Sequence, residues 1–124
     1  MKVNSVPSTN RSFTLVGRLM LAEAVTFAIA SILHFGVAES FIGAAIPEAI
    51  IAVVLGAGSI AVIRRGTGSW WIGLATTLFA LAGVIIGLTV ILGGRVSRPI
   101  DLAYHATIFV ALVITVVLLF VSRR

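Results

Sequence analysis

Cysteine is absent from this chain of 124 residues. That absence removes disulfides, thiolate metal sites, iron–sulfur clusters and cysteine nucleophiles, and it leaves the redox compartment open. Charge is the second scarcity. Charged residues make up 10% of the chain, against about 25% in soluble domains. Hydrophobic residues supply 60% and mean hydropathy is +1.20, more apolar surface than a soluble fold can cover. Acidic groups are scarcer than basic ones, 4 against 9, for a formal charge of +5. On a soluble protein that excess would suggest nucleic acid. Here the bases stand beside apolar runs, where membrane-orientation signals belong, so no nucleic-acid partner is expected.

Four apolar runs organise the rest: about Leu19–Val37, Ala44–Ile63, Trp70–Leu92 and Leu102–Val121. Each approaches the roughly 20 residues that carry a helix across a hydrocarbon layer of about 30 Å. Helix is the required form, because backbone groups in lipid must bond within their own segment. The connections "RRGTGS" and "GGRVSRP" carry the glycine, serine and proline of turns. The predicted fold is therefore all-α, an integral membrane antiparallel four-helix bundle over residues 15–124. Residues 1–14, polar and aperiodic with Pro7, read as a flexible cytoplasmic N-terminus. Pro47, early in the second run, is expected in a first helical turn, where its missing N–H costs little.

The basic residues set the orientation. With the N-terminus in the cytoplasm, Lys2, Arg11, Arg18, Arg64, Arg65, Arg123 and Arg124 lie inside, and only Arg95 and Arg98 lie outside. Seven against two predicts a multi-pass cell-membrane protein with both termini cytoplasmic. Trp70 and Trp71 then fall at the inner interface and Tyr104 at the outer one. A cleaved signal peptide competes for the first run, since "GVA" precedes Glu39. Glu23 within the run and His34 near its end oppose that reading.

Small residues line the runs. Gly83 and Gly87 stand four apart, and Ala45, Ala49, Ala52, Gly56 and Ser59 form a similar stripe. Such patterns let helix backbones approach closely. So small a bundle has little interior, and a homo-oligomer or a membrane-protein partner is expected beside the lipid bilayer.

The sparse ionisable residues at membrane depth carry the functional reading. Glu23 and His34 are 11 positions apart, roughly 20° beyond three full turns, so they share a face with Phe27 and Ala30 between them. A lipid-facing carboxylate there is costly. Glu23 is expected to bond to Thr26 or a neighbouring helix, to handle protons or cations, or to reach towards Arg18. At the outer side His34, Glu48, Asp101 and His105 fall in one layer drawn from three runs. Asp101 and His105, four apart, share a helix face, and Asp101 is expected to fix the His105 ring so that its other nitrogen faces inward.

Four chemistries fit that layer. Two imidazoles and two carboxylates are a ligand set for a divalent transition metal such as Zn²⁺, Cu²⁺ or Fe²⁺, assembled across helices. Haem on His34 and His105, with Arg95 or Arg98 on its propionates, is a second, opposed by the charge of Glu48 and Asp101. A small-molecule site, for example for a quinone or lipid headgroup held by His34 and Tyr104, is a third. The ordinary alternative is helix-end residues that bond to one another and to helix dipoles. Catalysis has little support: Ser31, Ser40 and Ser59 lack a nucleophile motif, and "GAGS" lies inside an apolar run without a following Lys-Ser/Thr pair.

The first run, "GRLMLAEAVTFAIASILHFG", resembles the opening helix of DoxX-like small membrane proteins. Arg18, Phe27, Ser31 and His34 occupy comparable places, with Ser31 where those proteins have glycine and His34 where they have lysine. The resemblance implies a four-helix fold linked with membrane redox partners, and it transfers no catalytic residue. Three functions are thus in play. One is a binding or accessory protein with an outer polar site, the second a small proton-coupled transporter using Glu23, the third a structural subunit.

Overall fold

The computed structural model describes residues 8–37, 42–94 and 99–123. Four helices account for nearly all of them: α1 Ser8–Ile32, α2 Ile42–Arg64, α3 Ser69–Leu92 and α4 Pro99–Ser122. No strand occurs among the described residues. Each helix packs against the next, and α4 closes on α1. All four are long and apolar enough to cross a membrane. The protein is an all-α, integral membrane four-helix bundle, as the apolar runs predict.

Both ends of α2, α3 and α4 fall within three residues of the expected spans. The exception is α1, which is helical from Ser8 where an irregular lead-in up to Thr14 was expected. Tertiary contacts explain the extension, since helices draw most of their stability from packing. Phe13 packs against the core, and the Thr14 hydroxyl accepts a bond from Arg65 at the end of α2. Residues 1–7 lie outside the described residues.

Pro47 also departs from expectation. Because α2 begins at Ile42, Pro47 sits in the second helical turn rather than the first. Its ring nitrogen has no hydrogen to give to the carbonyl four residues back, on Gly43.

The core runs the length of the bundle. Val16, Met20 and Phe27 of α1 meet Leu55 and Val62 of α2, Trp70 and Val84 of α3, and Ile108, Leu112 and Leu119 of α4. The outward faces carry Val53, Ile86, Val110 and Val117, all exposed. Apolar residues on both the inner and outer faces are what a bundle in lipid presents. Two levels fix the register. At the end holding the first residue of α1 and the last of α4, the terminal end, the Trp70 indole donates to the Leu119 carbonyl at 2.8 Å. There the Arg123 guanidinium also lies 4.3 Å from the Trp70 ring centre, a cation–π contact. At the opposite, distal end, Ser31 donates to the Ala45 carbonyl at 2.7 Å and ties α1 to α2.

A polar cavity at the distal end

His34 lies in Leu33–Val37, a kinked segment that follows α1. Gly36 has φ 123°, in the region that favours glycine, and it breaks the helix two residues beyond the histidine. With Phe27 and Ser31, His34 belongs to the buried face of α1. Glu48 follows the buried stripe of α2, three residues after Ala45 and three before Ile51. His105 opens the stripe of α4 that continues through Ile108, Leu112, Thr115 and Leu119. The polar residues thus occupy core positions at the distal end, where apolar residues stand elsewhere along the same faces.

Their side chains form one connected set. His34 Nδ1 lies 2.7 Å from Glu48 Oε2, and His34 Nε2 lies 3.5 Å from Asp101 Oδ1. His105 Nδ1 donates to the Asp101 backbone carbonyl at 2.8 Å. A carbonyl only accepts, so the Nδ1 of His105 carries a hydrogen. Asp101 thus fixes the His105 ring, as the four-residue spacing predicts, through its backbone carbonyl. The main chain of Asp101 orients His105, because a ring four residues on in a helix reaches the preceding carbonyl. Its carboxylate crosses to His34 instead. One residue thereby links imidazoles from two helices.

His34, Glu48, Asp101 and His105 all line a single cavity of ≈ 140 Å³. Its remaining walls are mostly apolar, including Phe27, Ile51, Val84 and Val90. The α3 wall is opened by the two glycines read as a packing stripe. A Cβ on Gly87 would lie 2.5 Å from His105 Nε2, and one on Gly83 would lie 2.5 Å from Ile51 Cδ1. Gly87 is the seat of the His105 ring. Sequence reading missed this role, although a glycine at the level of a buried histidine was its signal. Pro47 and Gly43, also lining residues, were missed as well.

Tyr104 stands beside this cavity. Its ring packs edge-on against Phe27, centroids 6.3 Å apart, and against His105, centroids 5.2 Å apart. Its hydroxyl is buried without a hydrogen-bond partner among the described residues. Tyr104 thus supports the wall, its ring held between Phe27 and His105. Arg95 and Arg98 lie outside the described residues.

Glu23 occupies a separate level. It is buried, and its Oε1 accepts from Thr115 of α4 at 2.7 Å, while Oε2 has no partner among the described residues. Thr26 bonds instead to the Ala22 carbonyl of its own helix, and Arg18 is exposed. The neighbouring-helix expectation for Glu23 is the one observed. Ala24 and Phe27 on α1, with Ile108 and Leu112 on α4, are buried between this level and the cavity.

A metal fits the distal cluster poorly. Both nitrogens of His34 face carboxylates, and His105 Nδ1 is taken by a carbonyl. Among the described residues no group of three His, Asp or Glu is arranged to hold a metal ion. A porphyrin is far larger than this cavity. Fold and site together define a small integral membrane helical bundle with an acidic, apolar-walled cavity at one end. No family model, curated protein or solved structure matches the chain.

Proposed function

We propose that the distal cavity binds a small molecule with an apolar body and a polar head. One observation carries this reading: four ionisable side chains from three helices converge on one cavity whose other walls are mostly apolar. Ligand sites characteristically combine an apolar lining with a few convergent polar groups. The protein acts as a binding or accessory component, in the cell membrane, with its termini in the cytoplasm and the cavity on the other side. The excess of basic residues at the terminal end supports that orientation. Apolar outward faces support a lipid surround and leave room for a second copy or another membrane protein. A DoxX-like kinship with redox partners rests on the sequence resemblance of the first run, carried by Arg18 and Phe27.

A panel of small aromatic and aliphatic compounds, screened by native mass spectrometry of the full chain, tests the reading. Compounds that bind the wild type must fail to bind Val90→Trp, which puts a bulky ring in the cavity wall. Equal binding to both proteins, or a stoichiometric metal retained after purification, overturns it.

A second reading, proton-coupled transport through Glu23, rests on that carboxyl facing the bundle interior and Thr115 instead of lipid. Intramembrane carboxyls in interior positions often mark proton pathways. Flux in proteoliposomes must then fall in Glu23→Gln, and unchanged flux removes the reading.

A further inference from the structure

The two oxygens of Glu48 are treated differently. Oε2 meets His34 Nδ1 at 2.7 Å, whereas Oε1 is buried with no hydrogen-bond partner among the described residues. Glu48 is 96% buried, taking its 4% exposure from the whole, and it lines the distal cavity. A buried acceptor of this kind needs a donor. The Asp101 carboxylate, paired with His34, lines the same cavity. Among the described residues no Lys or Arg lines this space.

The missing complement is therefore a donor of positive charge with an apolar body. Resting on the small-molecule reading above, we infer that the distal cavity takes a small organic cation, a protonated amine whose N–H groups bond to Glu48. Its apolar part lies against the mostly apolar lining of the cavity. An anion would meet two carboxylates. An inorganic cation would find apolar walls where it needs several further oxygen ligands. A neutral alcohol offers a single O–H and no charge.

The test compares three probes of one shape: benzylamine, benzyl alcohol and benzoate. Binding to the full chain in phosphatidylcholine nanodiscs is measured by calorimetry, with empty nanodiscs subtracted. Benzylamine must bind about tenfold tighter than benzyl alcohol, the difference between a charge-assisted and a neutral hydrogen bond. Benzoate must not bind. Glu48→Gln must abolish the preference for the amine and leave alcohol binding within about twofold. If that variant does not fold, Asp101→Asn at the more open side of the cluster must lower amine affinity severalfold and spare the alcohol. Equal binding of amine and alcohol by the wild type overturns the inference while the small-molecule reading stands. A preference that persists in Glu48→Gln overturns it too. If no probe binds, both readings fall.

Discussion

At the scale of the residue, the bundle holds its polar groups in two buried arrangements with different energetic characters. The Glu23–Thr115 pair is isolated, one hydrogen bond at 2.7 Å with a second carboxyl oxygen left over. Hydrogen bonds between membrane helices are worth about 0.6 kcal/mol on average and about 1.7 at most. Thr115→Val should therefore lower stability by about 1 kcal/mol in a detergent unfolding titration, since Glu23 loses its one donor. Replacing both partners, Glu23→Leu with Thr115→Val, should recover that loss or exceed it, because removing both members of a buried polar pair leaves no orphan. A double variant weaker than the single one would show that Glu23 has further support. The Glu48–His34–Asp101 set behaves otherwise, because its members share partners. A double-mutant cycle between Glu48→Gln and His34→Gln should give a coupling of about 1 kcal/mol or more. Additive effects, within about 0.5 kcal/mol, would mean that the 2.7 Å contact carries no net stability.

At the scale of the element, the decisive feature is the fit of α3 against α4. The His105 ring has room only because Gly87 lacks a Cβ, which would lie 2.5 Å from Nε2. Gly87→Ala should cost about 1–3 kcal/mol, the usual penalty of overpacking, and it should abolish ligand binding by displacing the ring. Adding His105→Ala should restore most of the stability. Gly66→Ala, where an added Cβ meets nothing within 4 Å, is the matched control and should be neutral. Rescue by His105→Ala distinguishes a local clash from a general need for glycine in α3. The same comparison shows what spacing encodes and what it does not. The apolar runs located α2, α3 and α4 because a lipid-spanning helix needs a fixed length of apolar sequence. The shared layer of His34, Glu48, Asp101 and His105 was legible too, since helix rise and topology fix depth. Which atom each ring would bond to was not legible, because that depends on rotamers and on the nearness of backbone carbonyls. The His105 ring turned to the Asp101 carbonyl, and the freed carboxylate reached α1. The start of α1 was hidden for a related reason: Phe13 and Thr14 are held by contacts with other parts of the chain, which local composition does not reveal.

At the scale of the whole molecule, function depends on which side of the membrane the distal cavity faces. A cavity with two carboxylates samples different solutes on the two sides, so its orientation decides what can reach it. The charge distribution argues for one answer. Seven Lys and Arg residues lie in the segments at the terminal end, against two in the α3–α4 link, and basic residues near spans are retained in the cytoplasm. The aromatic residues mark an interface at the terminal end without choosing its side. Trp71 is exposed at the terminal end, where an amphipathic ring meets the headgroup region, and Arg123 lies 5.5 Å from its centre. The absence of cysteine makes the point directly testable, since any thiol introduced is the only one in the chain. Ser97→Cys, in the link at the distal end, should react with a membrane-impermeant maleimide added to intact cells. Gly66→Cys, in the turn between α2 and α3, should react only after the membrane is opened. The opposite pattern would put the cavity in the cytoplasm, and the solutes it takes would then be cytoplasmic ones. Labelling of both sites in intact cells would mean that the chain inserts in two orientations, with the charge bias too weak to choose between them.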